Sequence, residues 1–258
     1  MFTNNFDPVA FQVFSLSIRW YSLAYIFGLI FGWIYCKKIL IKENIIQKLF
    51  EDYILYLVFG IIIGGRLGYV LFYNFPYFLN NPIEIFMIWN GGMSFHGGLI
   101  GIVISSYLFS KKNNKNIYVF LDLVAITSPI GILLGRISNF INGELVGKAT
   151  NSDWGVFFPS YDEKLRHPSQ LYEALLEGII LFILMNIIFF NKNSKVGTCS
   201  FMFLIIYGFF RIISEFFREP DVQLGYIFGH ISMGMFLSVF MILAGVIIYF
   251  KKKNEKYT

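Results

Sequence analysis

The stretch "IYVFLDLVAITSPIGILLGRISNFINGELVG", residues 117–147, is apolar almost without interruption for its first twenty or so positions and then turns polar. Arg136, Asn139, Asn142 and Glu144 follow one another at its end. A helix crossing the bilayer core needs about 20 mostly apolar residues. An ionisable group left unpaired in hydrocarbon is costly. The segment therefore reads as a transmembrane helix whose polar end lies near a membrane surface or lines a cavity.

The rest of the chain agrees. Of 258 residues, 56% are hydrophobic and only 14% charged, with a mean hydropathy of +0.62. Soluble domains are about half apolar and about a quarter charged, so a soluble fold is excluded. The formal charge of +5 does not indicate nucleic acid, because the lysines sit in short clusters between apolar runs. Apolar runs occupy roughly 17–36, 53–74, 93–110, 117–137, 174–191, 198–217 and 227–250. They predict an all-α integral membrane protein, one membrane domain over 1–258, built as a bundle of about seven transmembrane helices. Six spans stay open as an alternative, since the third and fifth runs are short and the second contains Arg66. Residues 1–16 lack a basic n-region and no small-residue cleavage site follows the first run, which is therefore read as a span and not as a cleavable signal peptide.

Lysine and arginine counts in short loops orient such a chain. One alternating set of loops (37–48, 111–115, 192–195 and 251–256) carries thirteen basic residues, and the other set carries five. The N-terminus is expected outside and the C-terminus in the cytoplasm. The long connection 137–173 then forms a small extracytoplasmic cap, with "RHPSQLYE" at 166–173 opening the next helix, since proline suits a first helical turn.

With direction assigned, polar residues from five helices fall in the outer half of the membrane: Tyr21, Arg66, His96, Arg136 with Asn139 and Glu144, and Tyr207 with Arg211. Ionisable residues inside spans mark function by default. Each also has a structural reading: Arg211 and Glu215 are spaced i, i+4 and suit a simple pair, His96 a packing role, and Asn139 and Asn142 helix caps. "GIIIG" (60–64), "GGLIG" (97–101) and "GILLG" (131–135) are small-xxx-small patterns that let helices approach closely.

Arginines below the outer surface suit a phosphate, which the guanidinium fork grips in bidentate fashion. The phosphate present at that depth is a phospholipid headgroup. No metal or cofactor is expected: the three histidines, His96, His167 and His230, show no ligand spacing. Cys36 and Cys199 fall at the inner ends of their spans, and no GxSxG elbow occurs. A reacting thiol must come from a substrate.

Gly135–Gly147 resembles the signature GRx(G/A)NFxNxExxG of the prolipoprotein diacylglyceryl transferases, departing only at Ser138, where the family has Gly or Ala. "IRWYSLAY" (18–25), "GGRLGYVLFYNF" (64–75), "GGMSFHGGLIG" (91–101), "RHPSQLYE" and "YGFFRIISEFFREPD" (207–221) extend the likeness across nearly all the spans. The resemblance implies a bacterial inner-membrane, multi-pass transferase. It would move the diacylglyceryl group of phosphatidylglycerol onto the lipobox cysteine of a prolipoprotein signal peptide, and glycerol phosphate would leave. It also implies roles: Arg136 on the headgroup, Arg211 on the phosphate or leaving group, and His96 as candidate base for the thiol. Tyr21, Asn139, Glu144 and Tyr207, together with Arg66 and Gly147, would line the substrate site. The competing classes are a polytopic transporter or channel with an outer-leaflet anion site, and a seven-span receptor. The polar residues form no chain to the cytosolic side, and the last span has no lysine to carry a retinal-type pigment.

Overall fold

The computed structural model describes residues 2–14, 16–220, 225–227, 229 and 231–254; His230, Lys256 and the final Asp221 of the last family-like stretch lie outside them. Nine α-helices are described: α1 (Trp20–Tyr35), α2 (Asn44–Phe72), α3 (Phe75–Asn80), α4 (Phe95–Lys112), α5 (Ile117–Asn142), α6 (Ser169–Glu173), α7 (Leu181–Phe190), α8 (Thr198–Glu215) and α9 (Met233–Asn254). A wider π turn, Cys36–Leu40, extends α1, and another, Ala174–Ile180, joins α6 to α7 in one continuous helix. Six helices are long and apolar enough to cross a membrane: Trp20–Leu40, Asn44–Phe72, Ile117–Asn142, Ser169–Phe190, Thr198–Glu215 and Met233–Lys251.

The expected third span is the one that falls short of that measure. Its helix, α4, exists over 18 residues, but His96, three glycines, three serines and two lysines dilute its apolar character. The outer faces of the long helices expose large apolar side chains, among them Ile26, Phe59, Ile183 and Leu243. In a bilayer these meet acyl chains, which accept them without cost.

The chain divides into two compact units, residues 36–121 and residues 1–35 with 122–258. In the first unit α2 and α4 pack backbone to backbone. A Cβ on Gly64 would lie 2.4 Å from the Gly97 carbonyl, and one on Gly101 would overlap the Gly60 carbonyl. The "GIIIG" and "GGLIG" patterns therefore form one seam. At the other end of this unit Tyr53, Phe109 and Phe120 make a buried aromatic cluster, with the Tyr53 hydroxyl 2.6 Å from Ser106 Oγ.

In the second unit "GILLG" packs elsewhere: Gly131 faces Gly28 of α1, where an added Cβ on Gly28 would sit 3.3 Å from the Gly131 Cα. α8 packs along α9 and against α7. A buried carboxylate caps its start: Asp122 accepts from the backbone N–H of Gly197 at 2.5 Å and of Ser200 at 2.8 Å, and from Ser200 Oγ at 2.6 Å. Those N–H groups have no intrahelical acceptor, and the positive end of the helix dipole stabilises the charge.

The connection that follows α5 is shorter than the expected 137–173. α5 continues through Asn142 and the next helix opens at Ser169, directly after Pro168. Polar Arg136, Asn139 and Asn142 end the apolar run but not the helix, since their side chains find polar partners. The connection folds around two short strands, β4 (Val156–Phe157) and β5 (Leu165–Arg166), which pair with β1 (Phe2–Thr3) in the order β1-β4-β5. Val146, Val156 and Phe158 form its small core against Phe140. Two hairpins, β2 (Val9–Val13) with β3 (Leu16–Arg19) and β6 (Tyr226–Ile227) with β7 (Ile231–Ser232), lead into α1 and α9.

Candidate active site

A desolvated ion cluster sits where α5, the α6–π–α7 helix and α8 meet. Glu173 ends α6 and Glu177, four residues on, lies in the π-type stretch that follows it, a helical irregularity that frequently marks functional sites. Gly178 allows the approach, since a Cβ there would come within 2.7 Å of Leu133 Cβ on α5. Arg136 Nε then lies 2.9 Å from Glu173 Oε2, and Arg136 Nη2 donates to Glu177 Oε2 at 3.2 Å.

From α8, Arg211 Nη1 reaches Glu173 Oε1 at 2.6 Å and Glu177 Oε1 at 3.5 Å, while Nη2 pairs closely with Glu215. Arg218 Nη1 adds a contact to Glu173 Oε1 at 3.3 Å, and Ser232 Oγ donates to Glu215 Oε2 at 2.7 Å. The arginine side chains are at most 16% exposed and the glutamates at most 4%. Buried ions persist only when paired and hydrogen-bonded; Arg136, Arg211, Glu173 and Glu177 each have at least two ionic partners, and Glu215 has Arg211 and Ser232. Tyr207, buried, shares this electrostatic environment with Glu177, Arg211 and Arg136.

A second polar group lies at the cap end of α5. Asn139 Nδ2 donates to the Tyr21 hydroxyl and, at 3.2 Å, to Glu144 Oε1. Asn142 Nδ2 donates to the same oxygen at 3.1 Å, and Tyr21 lies in the field of both Glu144 and Arg136. Gln170 Nε2 holds the Glu144 carbonyl at 2.6 Å. The two asparagines thus use their side chains on a tyrosine and a carboxylate.

Gly147 is threaded between two backbones. A Cβ there would come within 2.3 Å of the His167 carbonyl and 2.8 Å of the Phe217 carbonyl. Its own carbonyl accepts from Arg166 Nη1 at 2.8 Å, and its backbone bridges to Arg218. Arg166 also pairs with Asp162 at 2.7 Å and Glu219 at 3.1 Å. The hydrogen bond from Arg166 holds the Asp162 carboxyl at about 2, well below the usual range. Burial keeps His167 below the usual imidazole range. The cap is therefore tied through Arg218 to Glu173.

Of the nine expected site residues, Tyr21, Arg136, Asn139, Glu144, Tyr207 and Arg211 belong to these two groups, and Gly147 to the cap strand beside them. Arg66 and His96 belong to the other unit and have their own surroundings there. Arg66 is buried, and backbone carbonyls hold it: Nε donates to Ile85 at 2.8 Å, Nη2 to Glu84 at 2.5 Å, and Nη1 to Gly91 at 2.5 Å and Gly92 at 3.2 Å. Four of its five N–H donors staple the loop that follows α2. His96 is half-buried in the first turn of α4, next to the N-cap Ser94, whose Oγ accepts from the Gly97 N–H at 3.2 Å.

Reading the sequence missed Glu173, Glu177 and Arg218 as site members. The available signal was two carboxylates at i, i+4 inside the apolar run "YEALLEGIILF". Among the described residues no group of His, Cys, Asp and Glu could hold a metal. Cys36 and Cys199 are both buried.

Long helices with exposed apolar faces, and a buried cluster of arginines and carboxylates between three of them, define an all-α polytopic membrane protein. Its family is specific. Over residues 8–251 the chain matches the prolipoprotein diacylglyceryl transferase family, and it belongs to that family. It is 48% identical over 259 aligned positions to the phosphatidylglycerol–prolipoprotein diacylglyceryl transferase of Rickettsia bellii (strain OSU 85-389), covering 98% of each chain. Relatives of the same name from Oleidesulfovibrio alaskensis (48% over 256 positions; 97% and 95% covered) and Rickettsia felis (49% over 245; 93% and 95%) are equally similar.

Proposed function

We propose that the chain transfers the diacylglyceryl group of phosphatidylglycerol to the cysteine thiol of a prolipoprotein lipobox. The observation that carries this reading is that Arg136 and Arg211, from different spans, converge on the same two carboxylates in a desolvated setting. Two guanidinium forks that share one pair of carboxylates suit the oxygens of one phosphodiester.

The reaction is substitution at the terminal glycerol carbon that carries the diacylglyceryl moiety. Sulfur forms the new C–S bond, the C–O bond to phosphate breaks, and glycerol phosphate leaves with the electron pair. Arg136 binds the headgroup, and Arg211 stabilises charge on the departing phosphate. Tyr21, Asn139, Glu144 and Tyr207 orient the glycerol by hydrogen bonding. The thiol, with an ordinary pKa of about 8.5, gives its proton to a base. His96 is our candidate on the strength of its motif and because imidazole is the side chain best suited to accept a proton near neutrality. Arg66 and Gly147 act by holding backbone in place.

We place the protein in a bacterial inner membrane, as one functional membrane domain, with the N-terminus and cap outside. Seven crossings, α4 included, keep all the lysine-rich loops on one side. Removing α4 would make the basic residues nearly even across the bilayer, against the positive-inside rule.

The test is incubation of the purified protein with phosphatidylglycerol and a lipobox peptide, read as a peptide mass increase of one diacylglyceryl group. Arg136→Ala is expected to lower the rate by at least about a hundredfold, the scale of a lost charge-stabilising donor, while the protein still inserts. Normal lipidation by that variant, or anion flux in liposomes with no adduct, would refute the reading.

A further inference from the structure

Among the described residues the linked cluster balances three guanidiniums, Arg136, Arg211 and Arg218, against three carboxylates, Glu173, Glu177 and Glu215. A phosphodiester brings one more negative charge into this desolvated space. It also needs guanidinium N–H groups that carboxylates now occupy. One carboxylate has to give way.

The three are not held alike. Glu173 accepts hydrogen bonds from Arg211 and Arg218 at 2.6 and 3.3 Å and has Arg136 as an ion-pair partner at 2.9 Å. Glu215 has a close pair with Arg211 and a hydrogen bond from Ser232. Glu177 rests on the longer contacts, 3.2 Å to Arg136 and 3.5 Å to Arg211, and these are the two arginines assigned to the phosphate. The groups facing it are Arg136 from α5, Arg211 and Tyr207 from α8, and Glu173 one turn before it on its own helix. Its carboxylate is fully buried among them, so after losing an arginine it has no solvent to carry its charge.

We propose that Glu177 is a proton-accepting gate. The lipid phosphate takes over its places on Arg136 and Arg211, and Glu177 takes one proton from water as the lipid binds. The proton forms an O–H bond on the Glu177 carboxyl, and no bond of the lipid breaks in this step. When glycerol phosphate leaves, Glu177 releases the proton and pairs again with both arginines. Glu177 acts here as a positioning residue that clears the arginines for substrate. The inference rests on the proposed reading that this cluster receives the phosphate of phosphatidylglycerol.

The test is calorimetry of the full chain in detergent, titrated with short-chain phosphatidylglycerol in two buffers of different ionisation enthalpy. The wild-type protein is expected to take up about one proton per lipid, and affinity should fall about tenfold per pH unit where Glu177 is ionised in the free protein. In Glu177→Gln, which is already neutral, binding should be at least as tight, take up no proton and lose that pH slope. A proton count of zero for the wild-type protein overturns the gate while leaving the transferase reading intact, and that measurement needs no variant. A count of one that persists in Glu177→Gln also overturns it. Failure of the wild-type protein to bind the lipid removes both this inference and the reading beneath it.

Discussion

At the scale of single residues, the site is an economy of buried charge. Removing one partner of a buried pair leaves the other uncompensated, at a cost of about 3–5 kcal/mol. Glu173 serves three arginines, so Glu173→Ala is expected to lower stability by about that amount, read as a large drop in Tm. An unchanged Tm would show that the arginines are solvated. His96→Gln is expected to slow the chemical step more than it weakens lipid binding, so kcat should fall with little change in KM for phosphatidylglycerol. The opposite split would reassign His96 to positioning. Tyr21, Arg136, Asn139, Glu144 and Arg211 stood out because polar side chains in or beside apolar runs are rare, and the fold gathers them in two groups, Tyr21 with Asn139 and Glu144, and Arg136 with Arg211. Glu173, Glu177 and Arg218 did not stand out, because ion partners on different helices leave no spacing pattern along a chain. Arg66 shows the converse. It is as conspicuous in sequence as Arg136, yet its donors go to the carbonyls of Glu84, Ile85, Gly91 and Gly92.

At the scale of elements, apolar runs located the helices, whereas polar residues that continue a helix blurred its ends. α5 outlasts its apolar run through Asn142, and α2 begins at Asn44, ahead of its own. The strands were not legible: β1, β4 and β5 have two residues each, too short for an alternating pattern to register. The glycine patterns identified close seams but not the partner helices, which is why "GILLG" pairs with α1. The α2–α4 seam allows no added bulk, so Gly64→Val is expected to destabilise by about 1–3 kcal/mol or more, as overpacking does; full stability in thermal unfolding would contradict the contact. Asp122 caps α8 from α5, and Asp122→Ala should cost about 0.5–2 kcal/mol, the range for a lost N-cap. Hydrogen exchange at Gly197 and Ser200 would report it locally.

At the scale of the whole molecule, the cap gives a pH signature separate from the membrane site. His167 is favoured uncharged by the fold, so its contribution is full above the unfolded imidazole value of about 6.5 and declines as pH falls below it. Asp162 is favoured ionised, so its contribution is full above about pH 4 and is lost as pH falls through about 2. Exchange protection across residues 162–168 should therefore decline in two acid steps, and Asp162→Asn should abolish only the lower one. A single step near neutrality would contradict the Arg166–Asp162 contact. The central claim is that Arg136 and Arg211 hold the phosphate of the lipid being consumed. Solid-state NMR between lipid phosphorus and guanidinium nitrogen-15, on protein in bilayers containing phosphatidylglycerol, tests it most directly. Two arginine signals should couple to the phosphorus, one disappearing in Arg136→Lys and the other in Arg211→Lys. Protein that lipidates its peptide normally while showing no such coupling at either arginine would contradict the account.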